Sequence, residues 1–323
     1  MARLVAERPG AIAILGATGT GKSALAMRLA QRVPVEIISV DSAQVYSGLD
    51  IGTAKPDAAD RALVPHHLIN IRAPEQVYSA GEFRADCHAL LREISARGKV
   101  PVLVGGTMLY FRALFRGLAQ LPAASPSLRT ELDARAAVVG WPALHAQLAQ
   151  HDPLGAARIH PHDAQRIQRA LEVLATSGRS LSQHWESEES ALQPVDWQIA
   201  ILDPGSREQL HARLAQRLDA MMDAGFVGEV RQLLDRGTLN RSSPVLRLVG
   251  YRQLAEYCRG EQSLAEATKL ALIATRQLAK RQMTWLRGAG LLPPAARIIR
   301  AEAFSAVHTE RVLGSLIERL MSP

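Results

Sequence analysis

Residues 16–23 read Gly16-Ala17-Thr18-Gly19-Thr20-Gly21-Lys22-Ser23, which fits GxxxxGK[ST] at every fixed position. The flanks suit the motif. A short apolar run, Ala11 to Leu15, precedes it, and an amphipathic stretch from Ser23 to Arg32 follows. Strand, glycine-rich turn and helix is the context in which such a turn binds phosphate. The glycines let successive backbone N–H groups curl around an anion. The helix N-terminus points its positive end at the same place. Lys22 adds a point charge, and Ser23 offers a hydroxyl to Mg²⁺. The motif does not say whose phosphate is bound. ATP is the commonest answer for a nucleotide-binding loop of this kind, and it is not the only one.

The rest of the first third continues the pattern. Val35 to Val40 is β-branched and reads as a second strand, closed by Asp41. Gly81 to Arg97 has helical periodicity. Val100 to Val104 is a third strand that runs into Gly105-Gly106-Thr107, and Met108 to Phe115 is helical. Strands alternating with helices predict an α/β fold: a mostly parallel, P-loop NTPase-like sheet flanked by helices. From about residue 118 no strand is evident. Helical patches at 128–139, 142–149 and 163–176 are separated by prolines and end in an acidic segment, 186–196. Trp197 to Leu202 is a strand again. The expected organisation is a core of 10–117 plus 199–323, interrupted by an all-helical insertion at 118–198, with a helical C-terminal part. Residues after Pro293 carry little pattern.

Ligands of open α/β sheets sit beyond the carboxyl ends of the strands. Asp41 and Thr107 should therefore face the crevice of the phosphate loop. Asp41 suits a general base or a metal-organising carboxylate, and equally a turn cap. The third strand lacks the closing acid of a motor ATPase, and no NKxD guanine motif occurs. His66-His67 and His160-Pro161-His162 have no diagnostic metal spacing and read as turn or cap histidines. Only two cysteines occur, Cys87 and Cys258. They support neither a disulfide scaffold nor a thiolate zinc site, and they predict a reducing, cytoplasmic setting. No apolar run is long enough to cross a membrane, and no signal peptide is evident.

Charge is the other constraint. The net formal charge is +7. Residues 241–300 hold eleven basic and three acidic side chains, more excess than the whole chain carries. On an expected helix over 265–287, Arg276, Lys280 and Arg287 fall within roughly 40° of one another, with Gln277 and Arg281 beside them. Arg166 and Arg169 share one helical face, and Arg213 and Arg217 another. Basic stripes beside a phosphate loop suggest a surface that tracks a nucleic-acid backbone. Aromatic residues are only 4% of the chain, too few for many base-stacking platforms.

These motifs together resemble the bacterial tRNA dimethylallyltransferases. The resemblance rests on Gly16–Ser23, Asp41–Tyr46, Asp50–Pro56, His66–Leu68, Tyr78–Phe83, Gly105–Tyr110, Asp163–Val173, Val249–Gln253 and Thr275–Arg287, and covers about residues 10–290. It implies transfer of a dimethylallyl group from dimethylallyl diphosphate to N6 of the adenosine 3′ of the anticodon (position 37), in tRNAs reading codons that begin with U. It implies that the loop Gly16–Ser23 holds the donor diphosphate with Mg²⁺ at Ser23, and that Lys22, Arg217 and Arg213 stabilise the leaving group. It implies Asp41 as the base and Thr107 as its neighbour. It places tRNA contacts at Asp41, Ser42, Ala43, Gln44, Thr107, Arg129, Gln165, Arg166, Ile167, Gln168, Arg169, Arg247, Gly250, Tyr251, Arg252, Lys280, Arg281, Gln282, Trp285 and Arg287. The insertion would grip the anticodon stem-loop, and the enzyme is expected to act as a monomer. Three rival readings differ in class. A small-molecule P-loop kinase would have no need of the basic C-terminal helix. A prenyltransferase of free AMP or ATP would have less use for a large insertion. A plain RNA-binding module would leave Lys22 and Asp41 without work.

Overall fold

The structure is a computed structural model, and it describes residues 10–119, 121–186, 195–241, 243–288 and 290–321. The chain divides into two compact units, Met1–Arg116 with Gln193–Pro323, and Gly117–Leu192. The larger unit is built on six strands: β1 (Gly10–Gly16), β2 (Val35–Val40), β3 (His66–His67), β4 (Val100–Gly105), β5 (Asp196–Asp203) and β6 (Arg297–Glu302). All neighbours pair in parallel, in the order β3-β2-β4-β1-β5-β6. Helices α1 (Lys22–Ala30), α2 (Ala58–Leu63), α3 (Ala80–Ala96) and α4 (Met108–Arg116) belong to this unit. So do α10 (Arg207–Asp223), α11 (Phe226–Asp235), α12 (Tyr251–Cys258), α13 (Leu264–Arg287) and α14 (Ala306–Met321). The smaller unit holds α5 (Pro126–Val139), α6 (Trp141–His151), α7 (Pro153–Ala156), α8 (Ala164–Ser177) and α9 (Leu181–Glu186).

Two apolar layers explain why β1 carries no polar alternation. Ala11, Ala13 and Leu15 face one layer with Phe83, Phe111 and Phe226. Ile12 and Ile14 face the other with Leu25, Leu29 and Leu313. A central parallel strand buried on both faces reads as a continuous apolar run. Helix starts follow their caps. Ser79 and Glu82 form a reciprocal capping box on α3, and the hydroxyl of Ser206 accepts from Gln209 N at the start of α10.

Three features depart from the sequence reading. The strand expected to be third is the fourth in chain order, because His66-His67 forms a short edge strand rather than a turn. His67 Nε2 lies 2.7 Å from Glu36 Oε2, and Arg97 and Lys99 reach the same carboxylate. Hydrogen bonding from Arg97, opposed by burial and aided by His67, holds Glu36 down to about 2. The strand expected at 197 starts at Asp196, so a core resuming at 199 would cut through β5. The C-terminal stretch is structured as well. Strand β6 alternates poorly because it is an edge strand with Arg297, Arg300 and Glu302 turned to water, while α14 buries Val312, Leu313 and Leu316. The acidic segment expected at 186–196 falls mostly outside the described residues. Among the described residues, no helix is long and apolar enough to cross a membrane.

The smaller unit has its own core of Leu132, Leu144, Leu148, Ile167 and Leu171. Beside it lies Glu172, fully buried. Its carboxylate accepts from Ser125 N (2.7 Å), from Arg129 Nε and Nη2 (3.0 and 3.1 Å) and from Arg169 Nη1 (2.6 Å). Burial alone would raise the Glu172 pKa. The bonds from Arg129 and Arg169 outweigh it, and the carboxyl stays below its ordinary range. Removing one partner of a buried pair leaves charge uncompensated. We expect Glu172→Ala to destabilise the smaller unit by about 3 kcal/mol, the low end of that range because both guanidiniums also reach solvent. Urea unfolding followed by helix signal checks this, and an unmoved midpoint would refute it.

Candidate active site

The phosphate loop leaves β1 at Gly16 and enters α1 at Lys22. Gly19 and Gly21 both sit at φ +84°, which a side chain would strain. A Cβ on Gly19 would also lie 2.9 Å from Leu214 of α10. Ala17 and Thr20 are buried, and the Thr20 hydroxyl donates to Ala17 O at 2.8 Å, so their side chains shape the loop rather than face a ligand. Lys22 is half-buried as a residue, with its ammonium drawn onto Ala17 O at 2.7 Å. Burial first, and then the cationic Arg217, push Lys22 from its ordinary 10.5 down to about 7, against the pull of Asp41. Arg217 comes from α10 and donates to Thr18 Oγ1 at 3.2 Å. Burial lowers its pKa too, but a guanidinium starts so high that it keeps its charge. Arg213, one turn earlier, lies over the Phe304 ring at 4.9 Å. Gly19, Gly21, Lys22, Ser23, Arg213 and Arg217 line a polar cavity of about 400 Å³.

Asp41 and Thr107 meet because β2 and β4 are neighbours that end together, Val40 opposite Gly105. That approach is tight: a Cβ on Gly105 would stand 2.1 Å from Val40 O. Thr107 Oγ1 accepts from Ser42 N at 3.0 Å and lies 3.4 Å from Ser42 Oγ. Asp41 Oδ1 accepts from Ala43 N (2.8 Å) and Gln44 N (3.4 Å). Asp41 is thus a turn cap as well as a site carboxylate. Gln44 accepts from Ser39 Oγ and donates to Thr53 O and Ala54 O, which fixes the next loop. Asp41 and Thr107 also line a second cavity of about 430 Å³. Its wall is apolar, with Leu214, Leu218 and Met221 on α10, then Phe226, Leu248 and Trp285. The two cavities share Thr18, Asp41, Thr53, Gly106, Arg217 and Gln282.

The structure sorts the expected RNA contacts. Ser42, Ala43, Thr107, Arg247, Gly250, Arg281 and Trp285 line the apolar cavity. Arg252, Lys280 and Arg287 are exposed on α12 and α13 outside it, and Gln165 and Arg166 are exposed on α8. Five of the expected RNA residues have protein partners, and two of these five, Tyr251 and Gln282, also line the apolar cavity. Ile167 is fully buried in the smaller unit's core. Arg129 and Arg169 are held by Glu172. Tyr251 is 1% exposed, packs edge-on against Phe226, and donates to Glu229 Oε1 at 2.6 Å. Gln282 is buried, with both ends of its amide on backbone. Gln168 donates to Arg129 O and Asp133 Oδ1, so its amide nitrogen also serves the smaller unit.

Sequence reasoning missed Glu229. Its carboxylate accepts from the N–H groups of Asp50, Ile51 and Gly52 as well as from Tyr251, and so ties the walls of the apolar cavity together. The only signal was an acid in the first turn of α11 after Gly225. For Mg²⁺, the polar cavity offers the exposed Ser23, and Asp41 lines the same cavity. Among the described residues no group of three or more His, Cys, Asp or Glu is placed to hold a metal ion. Sparse, hard oxygen donors fit Mg²⁺, which takes most of its shell from phosphate and water.

Residues 44–289 match the IPP transferase family. The chain belongs to that family. Its IPP transferase relatives include a tRNA dimethylallyltransferase of Bordetella avium, 54% identical over 280 residues, covering 86% of this chain and 90% of the relative. Another, from Xanthomonas campestris, is 55% identical over 288 residues, covering 87% and 88%. Solved IPP transferases share the fold. The full-length tRNA isopentenylpyrophosphate transferase of Bacillus halodurans superposes with TM-score 0.68 at 32% identity, covering 97% of each chain. A eukaryotic dimethylallyltransferase acting on tRNA gives 0.79 at 26%, covering 96% of this chain and 80% of that one.

Proposed function

We propose that this chain transfers the dimethylallyl group of dimethylallyl diphosphate to N6 of the adenosine 3′-adjacent to the anticodon, in tRNAs that read codons beginning with U. The observation that carries the reading is the pair of cavities joined at Asp41 and Arg217: one polar and cationic, the other mostly apolar with Arg247 and Arg281 in its wall. A diphosphate needs the first, and an allylic tail with a purine needs the second. The donor's C–O bond breaks, a C–N bond forms, diphosphate leaves, and the proton on N6 goes to Asp41. Lys22, Arg213 and Arg217 meet the negative charge that grows on the leaving oxygen. The N6 lone pair is delocalised into the ring, so the nitrogen gains nucleophilicity as its proton is taken. Mg²⁺, held at Ser23, would supply further charge neutralisation on the diphosphate. The target base must leave its stack to enter the apolar cavity.

A kinase reading has less support, because β4 ends in Gly105-Gly106-Thr107 with no acid to organise a nucleotide-bound metal. The test is a transfer assay with labelled dimethylallyl diphosphate, Mg²⁺ and unmodified tRNA, with AMP and ATP as parallel acceptors. Label at the adenosine 3′ of the anticodon, and none in free nucleotides, is the expected result. Label in AMP or ATP would replace this reading with a free-nucleotide enzyme. Transfer to nothing would return the chain to the kinase reading. Lys280 is exposed, and no ion pair engages it among the described residues, so it is expected to track an RNA phosphate. Lys280→Ala should reduce the salt slope of tRNA binding by about one unit. An unchanged slope would make it a solvated surface lysine.

A further inference from the structure

Gln282 is a polar residue in an apolar stripe. The buried face of α13 reads Ala267, Ala271, Ala279, Gln282 and Leu286. The small residues let the helix approach closely, and Ala279 joins Ala17, Leu210 and Leu214 in one apolar cluster. One turn on, Gln282 reaches two strand ends. Its Oε1 accepts from Thr18 N at 2.8 Å, and its Nε2 donates to Gly106 O at 2.9 Å. The chemistry of the partners fixes the amide's orientation, since an N–H must donate and a carbonyl must accept. A Cβ on Gly106 would lie 2.4 Å from Nε2, so the glycine at 106 is what admits the side chain.

Thr18 is the hinge of this arrangement. Its N–H is held by Gln282, and its hydroxyl accepts from Arg217 Nη1. Gly106 leads into Thr107, beside Asp41. The same helix exposes Arg281 and Trp285 at the apolar cavity. We propose that Gln282 is a positioning residue for the prenyl donor: its amide sets Thr18, and through Thr18 the guanidinium of Arg217, and so builds the diphosphate site onto the helix that faces the acceptor. It does this through the backbone of Thr18 and Gly106, from a place in the wall of both cavities. The inference rests on the reading of the phosphate loop as a diphosphate site.

Binding of inorganic pyrophosphate and of a synthetic anticodon stem-loop RNA, each measured alone, tests it. Gln282→Met keeps the length and removes both hydrogen bonds. It should weaken pyrophosphate about tenfold, the scale of a lost pair of buried hydrogen bonds, and leave RNA affinity within about twofold of wild type. Gln282→Glu adds a pH readout. The carboxylate cannot donate to Gly106 O and stands near the anion, so pyrophosphate binding should fall further at neutral pH. The protonated acid can donate to Gly106 O and accept from Thr18 N, so the ratio to wild type should recover as pH falls through the carboxylate range. Weakened RNA binding with unchanged pyrophosphate binding would make Gln282 an RNA contact and overturn the proposal. Equal losses in both ligands, with a lowered melting temperature and no pH recovery in Gln282→Glu, would reduce it to general structural support and overturn it too. Failure of the wild-type protein to bind pyrophosphate would sink the diphosphate reading and this inference together.

Discussion

Asp41→Asn should lower turnover by about two to four orders of magnitude while both substrates still bind. The geometry lets this substitution keep the local turn. Asp41 Oδ1 caps the turn by accepting from Ala43 N and Gln44 N. An asparagine Oδ1 can accept the same two bonds, so the turn and the path of Gln44 to Thr53 and Ala54 should persist. Proton acceptance is removed, together with the negative charge that Asp41 presents to Lys22 and Arg217. Asp41→Ala would lose the cap as well, and any fall in its activity would mix two causes. The measurement is single-turnover transfer at saturating donor and tRNA, with pyrophosphate and stem-loop affinities taken separately. Near-wild-type turnover of Asp41→Asn would remove it from the role of base and leave it a cap. A loss of RNA affinity equal to the loss of turnover would make it a binding group.

The site divides into what local pattern can show and what only tertiary placement can show. The loop Gly16–Ser23 was legible because its glycines and its GK[ST] ending serve one local geometry. Asp41 and Thr107 were legible because parallel strands end on the same side of a sheet. Their meeting also needed β2 beside β4, which the α/β alternation does not specify, since β1 pairs with β4 and β5 and not with β2. The histidine strand was not legible: two residues are too short for periodicity to speak, and His67 is defined by a carboxylate 31 positions away in sequence, Glu36. Strand β6 and helix α14 were hidden for a different reason. An edge strand with three charged residues lacks the apolar run that marked β1. The resemblance assigned roles by motif and could not show the protein partners of each side chain. It put Arg129, Arg169, Ile167, Tyr251 and Gln282 on RNA; the structure shows that each also has a protein partner, a carboxylate, a core or a backbone group, while Tyr251 and Gln282 line the apolar cavity as well. In Thr275–Arg287 two neighbours differ: Arg281 is exposed at the cavity, and Gln282 lies buried in its wall with its amide on backbone. Glu229 lay outside any motif, because its role is to collect N–H groups from a loop about 180 residues earlier.

Lys22 carries the second large effect, and its sign follows from its surroundings. In the free protein, burial and Arg217 hold its pKa near 7, well under the ordinary 10.5. A bound diphosphate places negative charge beside the ammonium and raises that pKa again. At pH 8 the free lysine is mostly neutral and the bound one mostly charged, so binding should take up close to one proton. Pyrophosphate affinity should then fall as pH rises above 7, by up to about tenfold per pH unit until the bound-state pKa is passed. Below pH 7 both states are charged and Lys22 adds no slope. Calorimetry in buffers of different ionisation enthalpy measures the uptake, and subtracting the same experiment on Lys22→Met cancels the protons that pyrophosphate itself exchanges. The variant should also lose about two to three orders of magnitude in kcat, the usual effect of deleting one group that stabilises a developing oxyanion. No difference in proton uptake between wild type and Lys22→Met would mean that the lysine does not change charge on binding. Full activity of Lys22→Met would leave Arg217 and Arg213 as the groups that release the diphosphate.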